Sequence, residues 1–116
     1  MTRKEFHDLV LSFPETVEAT SYGQPSYKAF GKFLTRLRSE DDSIVIGEVD
    51  FDERDLLCAA EPGTFHFTDH YRNYRYVLAR LKPMDRKRAR FYLTRQWRKN
   101  APKKWLKAWD AEQGGA

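Results

Sequence analysis

The period of the apolar positions changes along this chain, and each change marks an element. Phe6, Leu9, Val10 and Phe13 fall at i, i+3, i+4 and i+7, one stripe of a helix. Thr2 and Glu5 open that helix as a capping box and Pro14 stops it. Residues 15–25 carry no apolar face and contain Ser21, Gly23 and Pro25, so a loop is expected. From Ser26 the pattern shortens to β runs: 27–30 and 33–37 read as a hairpin turning at Gly31-Lys32, because Gly31 can adopt the positive φ of a tight turn. After the turn Glu40-Asp41-Asp42, residues 43–49 hold Ile44, Val45 and Ile46 in sequence, the pattern of a central strand buried on both faces.

Asp52 is the expected cap of a short helix over 53–60, which Glu61-Pro62-Gly63 ends. Two further strands, 64–68 and 75–81, flank a tyrosine-rich segment at 69–74. Asp85 caps a long helix over 86–100 that places Ala89, Tyr92, Leu93, Gln96 and Trp97 on one face. Lys87, Arg88, Arg95, Arg98 and Lys99 lie around the opposite side, with Phe91 among them. Ala101-Pro102 breaks the helix, and residues 103–110 restart it with Trp105, Leu106 and Trp109 as the apolar side. The expected fold class is α+β: a five-stranded, mainly antiparallel sheet packed with N-terminal and C-terminal helices. A single domain spans 1–110, and 111–116 form a flexible tail.

Composition supports a packed core. Of 116 residues, 41% are hydrophobic, including 8 Phe, 6 Tyr and 3 Trp, in spite of a mean hydropathy of -0.78. No apolar run nears the roughly 20 residues of a membrane-spanning helix, and the first residues enter the amphipathic pattern directly, so a cytoplasmic protein without a membrane partner is expected. Cys58 stands alone, which leaves no internal disulfide and no all-cysteine metal site.

Charge changes the picture more. The net charge is only +4, but residues 1–71 carry -7 and residues 72–107 carry +13. A block this basic points to an anionic partner; the alternative is that the acidic and basic parts pair with each other in the fold. Tyr71-Arg72-Asn73-Tyr74-Arg75-Tyr76 sets stacking faces beside phosphate-binding forks, the two means by which proteins hold nucleic acid. The helix side bearing Lys87, Arg88, Arg95, Arg98 and Lys99 could track a phosphate backbone.

Enzymatic signatures are weak by comparison. His66 and His70 fall on a strand and a loop, where a four-residue spacing does not converge on a metal as it does on a helix. His70 with Asp69 forms a candidate general-base pair without a nucleophile tied to it. The isolated glycines build no phosphate-cradling loop of the nucleotide-binding kinds. Asp50-x-Asp52-Glu53-x-Asp55 lacks the glycine and distant glutamate of a calcium loop, so helix capping accounts for it better.

Five blocks occur in order: Tyr22-Gly-x-Pro25; Ala29-Phe-Gly-Lys-Phe33; Phe67-Thr68 with His70-Tyr71-Arg72; Tyr76-Val-Leu-x-Arg-Leu81; and Gln96-Trp97-Arg98 followed by Ala101-Pro102-Lys103. Together they resemble the MmcQ/YjbR family across nearly the whole chain, from the first helix to Lys104. The resemblance implies a CyaY-like α+β fold of the double-wing type. It also implies a DNA-binding role that rests on shape analogy, and it brings no catalytic residues. This chain departs from a typical member in the arginine content of its last long helix. The expected function is thus a non-enzymatic, cofactor-free domain that binds nucleic acid with little sequence preference through Arg72, Tyr74, Arg75, Arg88, Arg95, Arg98 and Lys99. The alternative is a protein-interaction or adaptor module, as a homodimer or with a protein partner, using the open sheet or the segment from Trp105 to Trp109.

Overall fold

The computed structural model describes residues 1–21 and 23–114. Tyr22, part of the first family-like block, and Gly115 and Ala116 lie outside the described residues. Six strands form one antiparallel sheet in the order β1-β2-β3-β4-β6-β5, built from β1 (Thr16–Ser21), β2 (Gln24–Ala29), β3 (Lys32–Arg38), β4 (Ser43–Ile46), β5 (Phe65–His66) and β6 (Val77–Arg80). Among the described residues four α-helices accompany these six strands: α1 (Arg3–Leu11), α2 (Phe51–Ala60), α3 (Arg86–Asn100) and α4 (Lys103–Gly114). The α+β class stands, with six strands where five were expected. The added strand is β1, in the segment read as a loop; it pairs with β2 from Thr16↔Ala29 to Ser21↔Gln24. It sits at the sheet edge, where Val17 stays 58% exposed, so no buried face imposes an apolar alternation on it.

Capping fixes where the helices start. Thr2 and Glu5 form the reciprocal capping box on α1, and the Asp85 carboxylate accepts the Arg88 N–H at 2.8 Å. For α2 the cap is Asp50 rather than Asp52: its carboxylate accepts the Glu53 N–H at 2.8 Å, two residues earlier than expected. The last helix runs to Gly114, past the 110 boundary at which a tail was expected to begin.

One face of the sheet carries the main core. Phe6, Leu9 and Val10 of α1 and Ala89, Leu93 and Trp97 of α3 pack with Leu34, Ile44, Ile46, Val77 and Ala79 from the strands. The helical stripe read from α3 is the buried one, extended by Asn100. Three polar side chains of that helix lock it in register: Trp97 Nε1 donates to Pro14 O at 2.9 Å, Gln96 donates to the Asn100 side chain at 3.0 Å, and Asn100 Nδ2 donates to Phe33 O at 2.8 Å. Gly47, just after β4, permits this approach, since a Cβ there would lie 2.1 Å from Gln96 Oε1. The α4 aromatics close the core from outside, Trp109 against Phe13 and Trp97, and Trp105 against Phe30.

The opposite face has its own smaller cluster of Val45, Tyr71 and Leu78, with Phe33 and Tyr76 packed on it. The segment between β5 and β6, which begins as a 3-10 turn at Asp69–Tyr71, covers this part of the sheet. Arg36 and Arg38 of β3 belong to the same face, opposite the core residue Leu37.

Candidate nucleic-acid interface

The seven residues expected to touch an anionic partner divide between the two sides of the sheet. Arg72, Tyr74 and Arg75 are exposed on the β5–β6 segment, whose tyrosines Tyr71 and Tyr76 pack on the smaller cluster. Arg88, Arg95, Arg98 and Lys99 belong to α3, which packs on the main core.

On α3 the three arginines already have carboxylate partners. Arg88 forks onto Glu61 at 3.1 and 2.7 Å, and Arg95 forks onto Glu53 at 2.8 and 2.7 Å while also donating to Glu48 O at 2.9 Å. As Glu53 and Glu61 stand at the two ends of α2, these forks tie α2 alongside α3 in antiparallel order. The Glu61 contact holds the Arg88 guanidinium above its ordinary pKa. Arg98 pairs with Asp110 of α4 at 2.6 Å. Lys99 alone of the four is exposed and unpaired among the described residues; it borders a shallow depression shared with Glu48, Asp50 and Glu53. Phe91 lies on the basic side and is 59% exposed, edge-on to Tyr92 with the Arg95 guanidinium 5.7 Å from its ring.

The tyrosine-arginine segment is arranged differently. Tyr74 is 57% exposed and lies nearly parallel to Tyr76, with an interplanar angle of 20° and centroids 6.2 Å apart. Tyr76 in turn leans on Phe33 at 5.6 Å, so an aromatic row runs from the loop onto the sheet. Arg72 pairs only with its neighbour Asp69, both strongly exposed, and Arg75 has no side-chain partner among the described residues. Next to this row, Arg36, Arg38, Gln24 and Glu40 face Thr68, His70 and Tyr71 across a groove of about 440 Å³.

What positions the segment is a residue that the sequence pattern did not single out. Arg54 of α2 is 5% exposed, and its guanidinium donates to the carbonyls of Tyr71 and Tyr74 at 3.1 Å and of Arg72 at 3.0 Å. It lies over the Phe67 ring at 3.9 Å. One buried cation thus collects the backbone oxygens of an irregular segment that strand pairing cannot satisfy. An Arg between two acidic residues of a short helix reads as a solvated side chain, so no local signal could have marked it.

His66 also acquires unexpected partners. Its Nε2 meets Ser43 Oγ at 3.0 Å and Asp41 at 3.6 Å. These are the residue types of a hydrolytic triad, but one ring nitrogen faces both groups and Ser43 is fully buried, so nothing here can relay a proton to an accessible nucleophile. Burial pushes the imidazole below its ordinary pKa, against the pull of Asp41, and the ring ties β5 to β4 as a neutral structural group. His70 is exposed, edge-on to Tyr71 at 4.8 Å. Among the described residues no cluster of histidine, cysteine and carboxylate side chains could hold a metal ion, and no helix is long and apolar enough to cross a membrane.

Fold and site define a small α+β domain whose antiparallel sheet has one face packed by helices and the other partly covered by a tyrosine-arginine segment. Compared with family models, with curated proteins and with solved structures, the chain finds no match.

Proposed function

We propose that this protein is a non-enzymatic domain of MmcQ/YjbR type that binds single-stranded nucleic acid on the sheet face away from the main core. Arg72, Tyr74 and Arg75 are the contacting residues, with Tyr76 supporting Tyr74 from below. The observation that carries this reading is the exposed Tyr74 ring stacked on Tyr76, flanked in sequence by Arg72 and Arg75, neither of which has a buried carboxylate partner among the described residues. A base can stack on such a ring whatever its identity, and guanidinium groups beside it can follow the backbone. Three of the arginines of α3 have the charge but not the freedom, because Arg88, Arg95 and Arg98 hold α2 and α4 in place.

Fluorescence anisotropy with a labelled single strand of about 15 nucleotides tests the reading. Saturable binding is expected, weakening roughly tenfold or more between about 50 and 200 mM salt. Tyr74→Ala should weaken it about tenfold, the loss of one base-aromatic stack. Absence of saturable binding at the lowest salt would refute the assignment.

A protein-interaction role is favoured by one observation of its own. Leu56 of α2 is 72% exposed, and Phe91 lies on the side of α3 that faces α2. The segment from Trp105 to Trp109 does not support that role, because its tryptophans pack against the core.

A further inference from the structure

Arg36 is a half-buried guanidinium without a carboxylate within ion-pair distance among the described residues. Its one polar partner is the Tyr71 hydroxyl, which accepts from Nη2 at 2.7 Å, and its buried Nε meets no acceptor. Two residues on, along the same face of β3, Arg38 is 11% exposed and answered by Glu40 at 3.2 Å and Asp41 at 3.6 Å. Glu40 and Asp41 offset Arg38, which leaves Arg36 as the cation without a counter-charge in a partly desolvated groove, where an incoming anion is favoured. The groove has the donors to receive one. The Thr68 hydroxyl stands ahead of the 3-10 turn without capping it, and His70 is exposed at the same wall.

We propose that this groove binds a phosphate monoester, and that its source is the terminal phosphate of the strand whose bases stack on Tyr74. The inference rests on the nucleic-acid reading above and assigns it an end preference. A monoester carries close to two charges at neutral pH whereas a backbone diester carries one, so two guanidinium forks favour the strand end over its interior. At about 440 Å³ the groove also has room for the attached sugar. His70 and Tyr71 line it and lead directly into the segment bearing Arg72 and Tyr74, so a stacked strand and its phosphate share one continuous surface. Glu40 is the counterweight: half exposed, it covers Arg38 in the free protein and opposes the ligand.

The test compares strands of one sequence carrying a 5′-phosphate, a 3′-phosphate or hydroxyls at both ends, with adenosine 5′-monophosphate as competitor. One phosphorylated strand should bind about fivefold or more tightly than the hydroxyl strand, and the mononucleotide should displace it to the hydroxyl-strand level. Arg36→Gln should abolish the preference while leaving hydroxyl-strand affinity unchanged. Glu40→Gln should enlarge the preference about threefold, a gain that misfolding cannot produce. Equal affinity for all three strands would overturn the inference while the nucleic-acid reading stands. If no strand binds, that reading fails; Arg36-dependent binding of the mononucleotide would then assign the phosphate to a free nucleotide, and its absence would overturn the groove as a phosphate site.

Discussion

Arg95 and Glu53 meet through two parallel hydrogen bonds while each side chain keeps about a third of its surface in water, 28% and 34%. Such a fork holds α2 against α3 more firmly than a surface pair, and a double-mutant cycle with Arg95→Gln and Glu53→Gln should return a coupling of about 1–2 kcal/mol in urea denaturation. A coupling near zero would show the pair to be ornamental and the α3 arginine free for other partners. His66 yields a pH dependence at the same scale. Burial lowers its folded pKa below the unfolded value of 6.5, so the unfolded chain binds the extra proton between those values. Its contribution is complete above pH 6.5 and is lost as the pH falls toward the lower, folded pKa. The wild-type urea midpoint should therefore drop in that acidic window more than the midpoint of His66→Gln, and superimposable profiles would contradict the assignment.

Among the elements, the β5–β6 segment depends on a helix to which it is not adjacent in sequence. Replacing Arg54 with Met should leave the Tyr71, Arg72 and Tyr74 carbonyls without their donor, destabilise the fold by about 3 kcal/mol, and speed hydrogen exchange over residues 69–76 more than in β3 or β4. Uniform exchange across both regions would mean that Arg54 acts on global stability alone. The helices were legible because caps and periodicity are local: Thr2, Asp85 and the apolar stripe of α3 lie where the pattern put them. The hairpin was legible for the same reason, Gly31 taking a φ of 76°, but the turn residues are Phe30 and Gly31 rather than Gly31 and Lys32, since Lys32 already pairs with Ala29. β1 was not, since an edge strand with exposed Val17 and Glu18 has the polarity of a loop and is defined only by its partner. The α2 cap moved to Asp50 because a run of three nearby aspartates offers several equivalent starts.

For the molecule as a whole, part of the division of charge along the chain turns into internal pairing beside α3, where Arg88 and Arg95 meet Glu61 and Glu53 and Arg98 meets Asp110, while Arg86, Lys87 and Lys99 of the same helix have no ion-pair partner among the described residues. Glu53 and Glu61 lie 42 and 27 residues from the arginines they meet, a separation no local pattern encodes. The candidate site was therefore legible in part: Arg72, Tyr74 and Arg75 are exposed as the composition of the run suggested, but Tyr71 and Tyr76 pack on the sheet, and Arg36, Arg38 and Arg54 depended on strand register and on a buried guanidinium. What sets the β5–β6 side apart is the exposed Tyr74 ring stacked on Tyr76 beside Arg72 and Arg75.

The most direct test is a two-dimensional amide NMR titration of the protein with a single-stranded oligonucleotide at low salt. The strongest saturable shifts should fall on residues 68–76, with small changes along α3. Shifts concentrated on Arg88, Arg95, Arg98 and Lys99, with the β5–β6 segment unmoved, would place the partner on the other side of the sheet and contradict the account.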